Sequence, residues 1–143
     1  MATVLLDDHL LRDWLAGSDA HLRRALGRAA LATSNLWYAR LCKSAAGRRG
    51  GALLGSWAET ERDAVVAGLI ALPDSVTVVP MRDLAWRMGQ LTNVHGGLSM
   101  LGAEAVAAAE RLGARIAVSS RDDGPGIRAA CLAVGVRYAA VDR

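Results

Sequence analysis

The chain has no phenylalanine, two cysteines, three prolines, one lysine and no long apolar run among its 143 residues. Each scarcity excludes something. Cys42 and Cys131 stand far apart, outside any CxxC or Cys/His ligand spacing, so neither a zinc site nor a disulfide framework is expected and both read as buried free thiols. The longest uncharged apolar stretch, 64–73, is far short of the roughly 20 residues a membrane span needs. The start, Met1-Ala2-Thr3-Val4-Leu5-Leu6 followed by Asp7 and Asp8, lacks the basic and apolar regions of a secretory signal, and a cytoplasmic location without membrane contact is expected. With 52% hydrophobic and 22% charged residues, what is there suits one compact domain spanning 1–143.

Acid is also missing locally. Between residues 20 and 58 there are seven cations, Arg23, Arg24, Arg28, Arg40, Lys43, Arg48 and Arg49, and no Asp or Glu; the remainder holds ten basic and fourteen acidic residues. A solvated face normally mixes both signs, whereas segregation suits a polyanion, and arginine's planar fork suits phosphate. An alanine-rich, arginine-rich composition can equally follow from genome bias. RNA is the expected partner, with Arg23, Arg24, Arg40, Lys43, Arg48 and Arg49 as contacts.

The order of elements is legible from periodicity. A strand at 3–6 precedes a helix at 9–15; Gly17-Ser18-Asp19 breaks and caps, and a helix follows at 21–30. A brief strand at 31–33 leads through Ser34 into a helix at 35–45, and Arg48-Arg49-Gly50-Gly51 reads as a loop. Helices at 59–72, 81–92, 98–112 and 126–133 and strands at 75–79, 116–119 and 136–141 complete the pattern. Strands separated by helices predict an α/β fold, a three-layer α/β/α sandwich around a parallel sheet. Trp14, Trp37, Trp57 and Trp86 are expected in the core because no phenylalanine fills it, with Trp37 and Tyr38 as the alternative, a stacking platform for a base.

Parallel sheets place their sites outside the carboxyl ends of the strands. Asp7 and Asp8 follow the first strand, Asp122 and Asp123 follow the strand at 116–119, and Glu104 lies near the start of the helix feeding that strand. Five carboxylates directed to one edge would suit Mg²⁺ or Mn²⁺, which can activate water against a phosphodiester. Each of them has an alternative as a helix cap or a partner of the helix dipole. His9, beside the aspartate pair, is a conceivable acid or base but is expected at the surface or the core edge. His95 has no partner at ligand spacing; Ser119-Ser120 lacks the Gly-x-Ser-x-Gly turn, and Gly50-Gly51 lacks the Gly-Lys-Ser/Thr ending of a phosphate loop.

The N-terminal strand ending in aspartate, the helix after Thr33-Ser34, the stretch Leu98-Ser99-Met100-Leu101-Gly102-Ala103-Glu104-Ala105-Val106 and the following Leu112-Gly113-Ala114-Arg115-Ile116-Ala117-Val118 together resemble the PIN domain. That resemblance implies a small metal-dependent ribonuclease, as in bacterial toxin-antitoxin pairs, with RNA as substrate, an antitoxin-like partner and a homodimer as further expectations. The family's first acid falls on Asp7, its third on Gly102 in one form of the motif and on Glu104 in another, and its fourth near Ser120, two residues before Asp122. The resemblance thus gives Asp7, Glu104 and Asp122 as catalytic metal holders, supported by Asp8 and Asp123. The family's second acid, a glutamate, falls on Arg40. A cation there opposes a dication and can instead pair with Asp7 or Asp8. The alternative implied is a non-catalytic RNA- or protein-binding module on the same fold.

Overall fold

The computed structural model describes residues 2–17 and 19–142, the side chain of Arg49 excepted. Five strands, β1 (Thr3–Leu6), β2 (Ala30–Thr33), β3 (Val76–Val78), β4 (Arg115–Ser119) and β5 (Tyr138–Val141), form one sheet in the order β3-β2-β1-β4-β5. Every pairing is parallel, with Leu5 opposite Ala32 on one side and Ile116 on the other. The helices are α1 (Asp8–Ala16), α2 (Ala20–Leu26), α3 (Asn35–Ala46), α4 (Gly51–Leu54), α5 (Glu59–Ile70), α6 (Ala85–Val94), α7 (Met100–Leu112) and α8 (Pro125–Val134). None is long and apolar enough to cross a membrane.

Strand alternation divides the core into two halves. Val4 and Leu6 of β1 pack with Leu10, Leu11, Leu22, Val65 and Leu69 from α1, α2 and α5, while Leu5 faces the opposite half with Met88, Leu91, Val106 and Ile127 from α6, α7 and α8. This is the expected three-layer sandwich. The middle helix of the second half, α7, is buried continuously from Gly102 to Ala109. Its alanines make that possible, because a helix with small side chains all round can sit close to the sheet and to two neighbouring helices at once.

Local departures from the sequence reading have local causes. The helix expected at 21–30 stops at Leu26, because Gly27 turns to φ +59° and Ala30 already pairs in the sheet. Asp19 supplies the cap of α2, its side chain accepting from Leu22 N; Ser18 lies outside the described residues. The loop expected at 48–51 is a 3₁₀ turn, Arg48–Gly50, followed by α4. The helix expected at 81–92 is a 3₁₀ turn, Met81–Asp83, and then α6, since the first bonds run from Asp83 N to Pro80 O and from Leu84 N to Met81 O. Val136 belongs to the stop of α8 and not to β5, its N–H bonding Cys131 O behind the left-handed Gly135.

Burial also corrects the reading of single residues. Trp86 is 82% exposed rather than core, whereas Trp37 is 1% exposed and is no platform for a base. Tyr38 is half-buried, with its hydroxyl donating to Leu69 O. Cys131 is buried as expected, but Cys42 is only half-buried.

Candidate functional site

The sheet order reverses beside β1: β2 and β3 extend one way, and β4 and β5 the other. The crevice outside the carboxyl ends of β1 and β4 is therefore where a parallel sheet offers a site. Asp7 sits there as the N-cap of α1, its Oδ1 accepting from Leu10 N at 2.8 Å. Its Oδ2 accepts from Ser119 N at 2.7 Å and Ser119 Oγ at 2.8 Å, tying the end of β1 to the end of β4. Both oxygens are thereby committed to holding the fold.

Asp8, the first residue of α1 and fully buried, accepts from His9 Nδ1 at 2.9 Å on Oδ1 and from Arg40 Nε on Oδ2. Arg40 Nη2 also donates to Asp122 Oδ1 at 2.6 Å, and Asp122 Oδ2 lies 3.3 Å from His9 Nδ1. One arginine and one histidine thus bridge the same two aspartates. Polar atoms of Asp7, Asp8, His9 and Asp122 lie within 4.8 Å of one another.

The titration behaviour follows from this packing. Burial, then the neighbouring Asp122 carboxyl, pushes Asp7 up to about 7 against the bonds from Leu10 and Ser119. Burial also works against ionised Asp122, but His9, Asp8, Asp7 and Arg40 outweigh it and hold that carboxyl far below the usual range. The bonds to Asp122 and Asp8 push His9 up to about 9 against its desolvation, and the bond to Asp8 raises Arg40 further above its ordinary value. Near neutrality the cluster therefore contains an ionised Asp122, two cations and an Asp7 that is itself titrating.

A resident dication does not fit this arrangement. Mg²⁺ and Mn²⁺ need carboxylate oxygens that are free to ligate. Here Asp7 is consumed by backbone and hydroxyl donors, and the guanidinium of Arg40 spans Asp8 and Asp122. An ion could enter only by displacing Arg40, whose charge would otherwise repel it.

Two residues expected at the site are elsewhere. Glu104, on α7 and fully buried, accepts from Asn35 N at 2.6 Å, Leu36 N at 2.8 Å and Asn35 Nδ2 at 2.8 Å. It fills the N-terminus of α3, whose unpaired N–H groups attract a carboxylate, and is no member of the acidic cluster. Asp123 turns to Tyr138 Oη at 2.8 Å and Arg128 Nη2 at 2.9 Å, which together keep its carboxyl below its ordinary value. Successive residues on a turn point apart, so only Asp122 of that pair reaches the cluster. His9, expected at the surface or core edge, is drawn between Asp8 and Asp122; its adjacency to the aspartate pair was the only signal for it.

The seven cations of 20–58 do not form one track. Arg23 lines a cavity with Trp14, Ala30, Leu31 and Ser75 at the amino edge of the sheet, and the exposed Arg24 neighbours it on α2. Arg40 and Lys43 line a cavity of about 490 Å³ at the opposite edge, together with Asp8, His9, Asp122 and Arg121. The chain crosses the sheet as β2 between these two groups, so continuity in sequence becomes separation in space. Arg48 is exposed on its 3₁₀ turn, and the Arg49 side chain lies outside the described residues. Arg121, not singled out from sequence, shares the cavity because it precedes Asp122. Lys43 and Arg121 are exposed, and neither has an ion-pair partner among the described residues.

No protein-family model matches this chain, and no curated protein matches it in sequence. Among solved structures it is similar to the crystal structure of PAE2754 from Pyrobaculum aerophilum, with a TM-score of 0.53 and 17% identity, over 99% of this chain and 90% of that one. At that identity the likeness concerns the fold, and over nearly the full length of both chains it is the whole α/β sandwich that is shared.

Proposed function

We propose that this protein is an RNA-interacting protein on a PIN-like fold, a degenerate relative of Mg²⁺- or Mn²⁺-dependent ribonucleases that binds without cutting. The observation carrying this reading is the position of Arg40, which bridges Asp8 and Asp122 where a metal would have to sit. The acids at the carboxyl edge are thereby neutralised from within, while Lys43 and Arg121 remain exposed on the same cavity. Phosphate contacts of this kind give affinity without base selectivity.

The test is anisotropy of labelled single-stranded RNA between low and moderate salt, run beside a cleavage assay with Mg²⁺ and Mn²⁺. Salt-sensitive binding with no cleavage is expected. Efficient metal-dependent cleavage that is lost in Asp122→Asn would replace this reading with the ribonuclease one. That second reading rests on one observation: the Arg40 side chain is 40% exposed, so it has somewhere to go if a metal displaces it.

A further inference from the structure

The cavity of about 490 Å³ at the carboxyl edge carries more positive charge than its own acids cancel. Six ionisable side chains line it: Asp8, His9, Arg40, Lys43, Arg121 and Asp122. The two aspartates are bridged by Arg40 and by His9, whose pKa of about 9 keeps it protonated near neutrality. Two anions therefore meet two cations. Lys43 and Arg121, both exposed and without an ion-pair partner among the described residues, leave the cavity with two positive charges in excess.

The wall formed by α4 is braced from three sides. Ser44 Oγ donates to Gly50 O at 2.7 Å and accepts from Leu53 N at 3.0 Å, and Arg12 Nη1 donates to Leu53 O at 2.8 Å. Gly50 and Gly51 sit at φ +83° and +57°, where a Cβ would come 2.7 Å from Leu54 Cβ and 2.9 Å from Ser44 Oγ. The turn is thus fixed by the fold and not by a ligand, which lowers the ordering cost of binding. It presents Gly51, Ala52 and Leu53 as a small apolar shelf on the same cavity. No aromatic side chain is among the described residues lining it, so none of them stacks on a base.

We infer that this cavity takes a phosphate monoester, the 5′-phosphorylated end of an RNA, with the phosphate against Lys43 and Arg121 and the sugar on the shelf of α4. The inference rests on the RNA reading and narrows it from any stretch of backbone to a chain end. The reason is charge. A monoester carries roughly −1.5 to −2 near neutrality on one phosphorus, which matches the excess of two. A diester within a chain brings a single charge, so meeting both cations would take two nucleotides of chain in the same space. Lysine's point charge and arginine's fork come from different elements, α3 and the turn after β4, and both suit phosphate oxygens. The volume lies within the roughly 300–1,000 Å³ of small-molecule sites. A free mononucleotide carries the same group, and the experiment separates the two sources.

The experiment is anisotropy of the full chain with one 3′-labelled single-stranded RNA bearing a 5′-phosphate, a 5′-hydroxyl, or the methyl ester of the 5′-phosphate. The methyl ester keeps nearly the same shape and is a monoanion. The phosphorylated end is expected to bind about tenfold more tightly than either of the others, as for one bond to a charged group. That advantage should largely disappear in Lys43→Gln and in Arg121→Gln and persist in Arg23→Gln at the other edge of the sheet. Adenosine monophosphate is then added as competitor, with adenosine as control. Competition at concentrations comparable to the RNA identifies the free nucleotide as the carrier, and weaker competition the RNA end. Equal affinity for the three ends in the unmodified protein overturns the inference, as does an advantage that both variants keep. RNA binding with no preference for the phosphorylated end leaves the proposed function standing and removes this site. Binding of adenosine monophosphate without RNA affinity keeps the monoester site and removes the proposed function.

Discussion

Asp122 lines two cavities, the one it shares with Arg40 and Lys43 and one of about 240 Å³ between α3, α7 and α8, and the two sides of it differ in how their polar groups are satisfied. Toward α1 and α3, the aspartates are bridged by Arg40 and His9 and little is left to bind a cation. Toward α7 and α8, the buried Nε1 of Trp37 has no hydrogen-bond partner among the described residues. The same contrast holds between two helix N-termini: α3 is filled by the buried Glu104 from α7, while α8 has no side-chain cap among the described residues. Acidic residues in sequence suggested a cation site, but the tertiary pairing meets those carboxylates with Arg40 and His9 from within the chain.

The largest effect expected from breaking this contrast is at Glu104. Glu104→Ala would leave three donors at the start of α3 without their acceptor and open a cavity in the core, costing about 3–4 kcal/mol in chemical denaturation. If Glu104 belonged to a metal site instead, its loss would lower metal affinity with little effect on stability.

Arg40→Ala comes next. It strands buried Asp8 beside Asp122, but because Arg40 is 40% exposed the loss should be about 2–3 kcal/mol, below the roughly 3–5 of a fully buried pair. In that variant Mn²⁺ should raise the melting temperature, whereas in the unmodified protein it should not. A melting temperature indifferent to Mn²⁺ in both forms would show that freeing these carboxylates does not suffice to make a metal site.

His9→Gln should cost about 1–2 kcal/mol at pH 6. Its pKa is raised from 6.5 to about 9, so its contribution is fully present below about pH 6.5 and fades as pH rises through 9. The variant and the unmodified protein should therefore converge above that pH. Asp7 acts over a lower window: with its pKa raised to about 7, the folded chain holds a proton that the unfolded chain releases near 3.8, so stability declines between those values and levels off above. Asp7→Asn should flatten that slope in urea titrations across pH 4–8. An unchanged slope would show that Asp7 is ionised in the fold.

The smallest effect concerns RNA. Lys43→Ala and Arg121→Ala should each lower the slope of log affinity against log salt by about one, leaving stability unchanged. Arg23→Ala, at the other edge of the sheet, should not alter the slope. An equal effect from Arg23 would restore a single track across the molecule.

Much of the architecture is determined by the sequence alone. The five strands and the amphipathic helices between them follow from hydrophobic periodicity, and the caps at Asp19 and Ser34 from single short polar residues, because these are local properties of the backbone and its neighbours. Asp7, Asp8 and Asp122 could be assigned to one edge because in a parallel sheet every strand ends on the same side. Which carboxyl meets which partner was decided only by tertiary structure. Asp122 and Asp123 are neighbours in the chain, yet one faces Arg40 and the other Arg128; Glu104 faces a helix end brought to it from 69 positions away. Hydrogen bonds are settled by direction over 3 Å, and spacing along a chain carries no such direction once the chain turns.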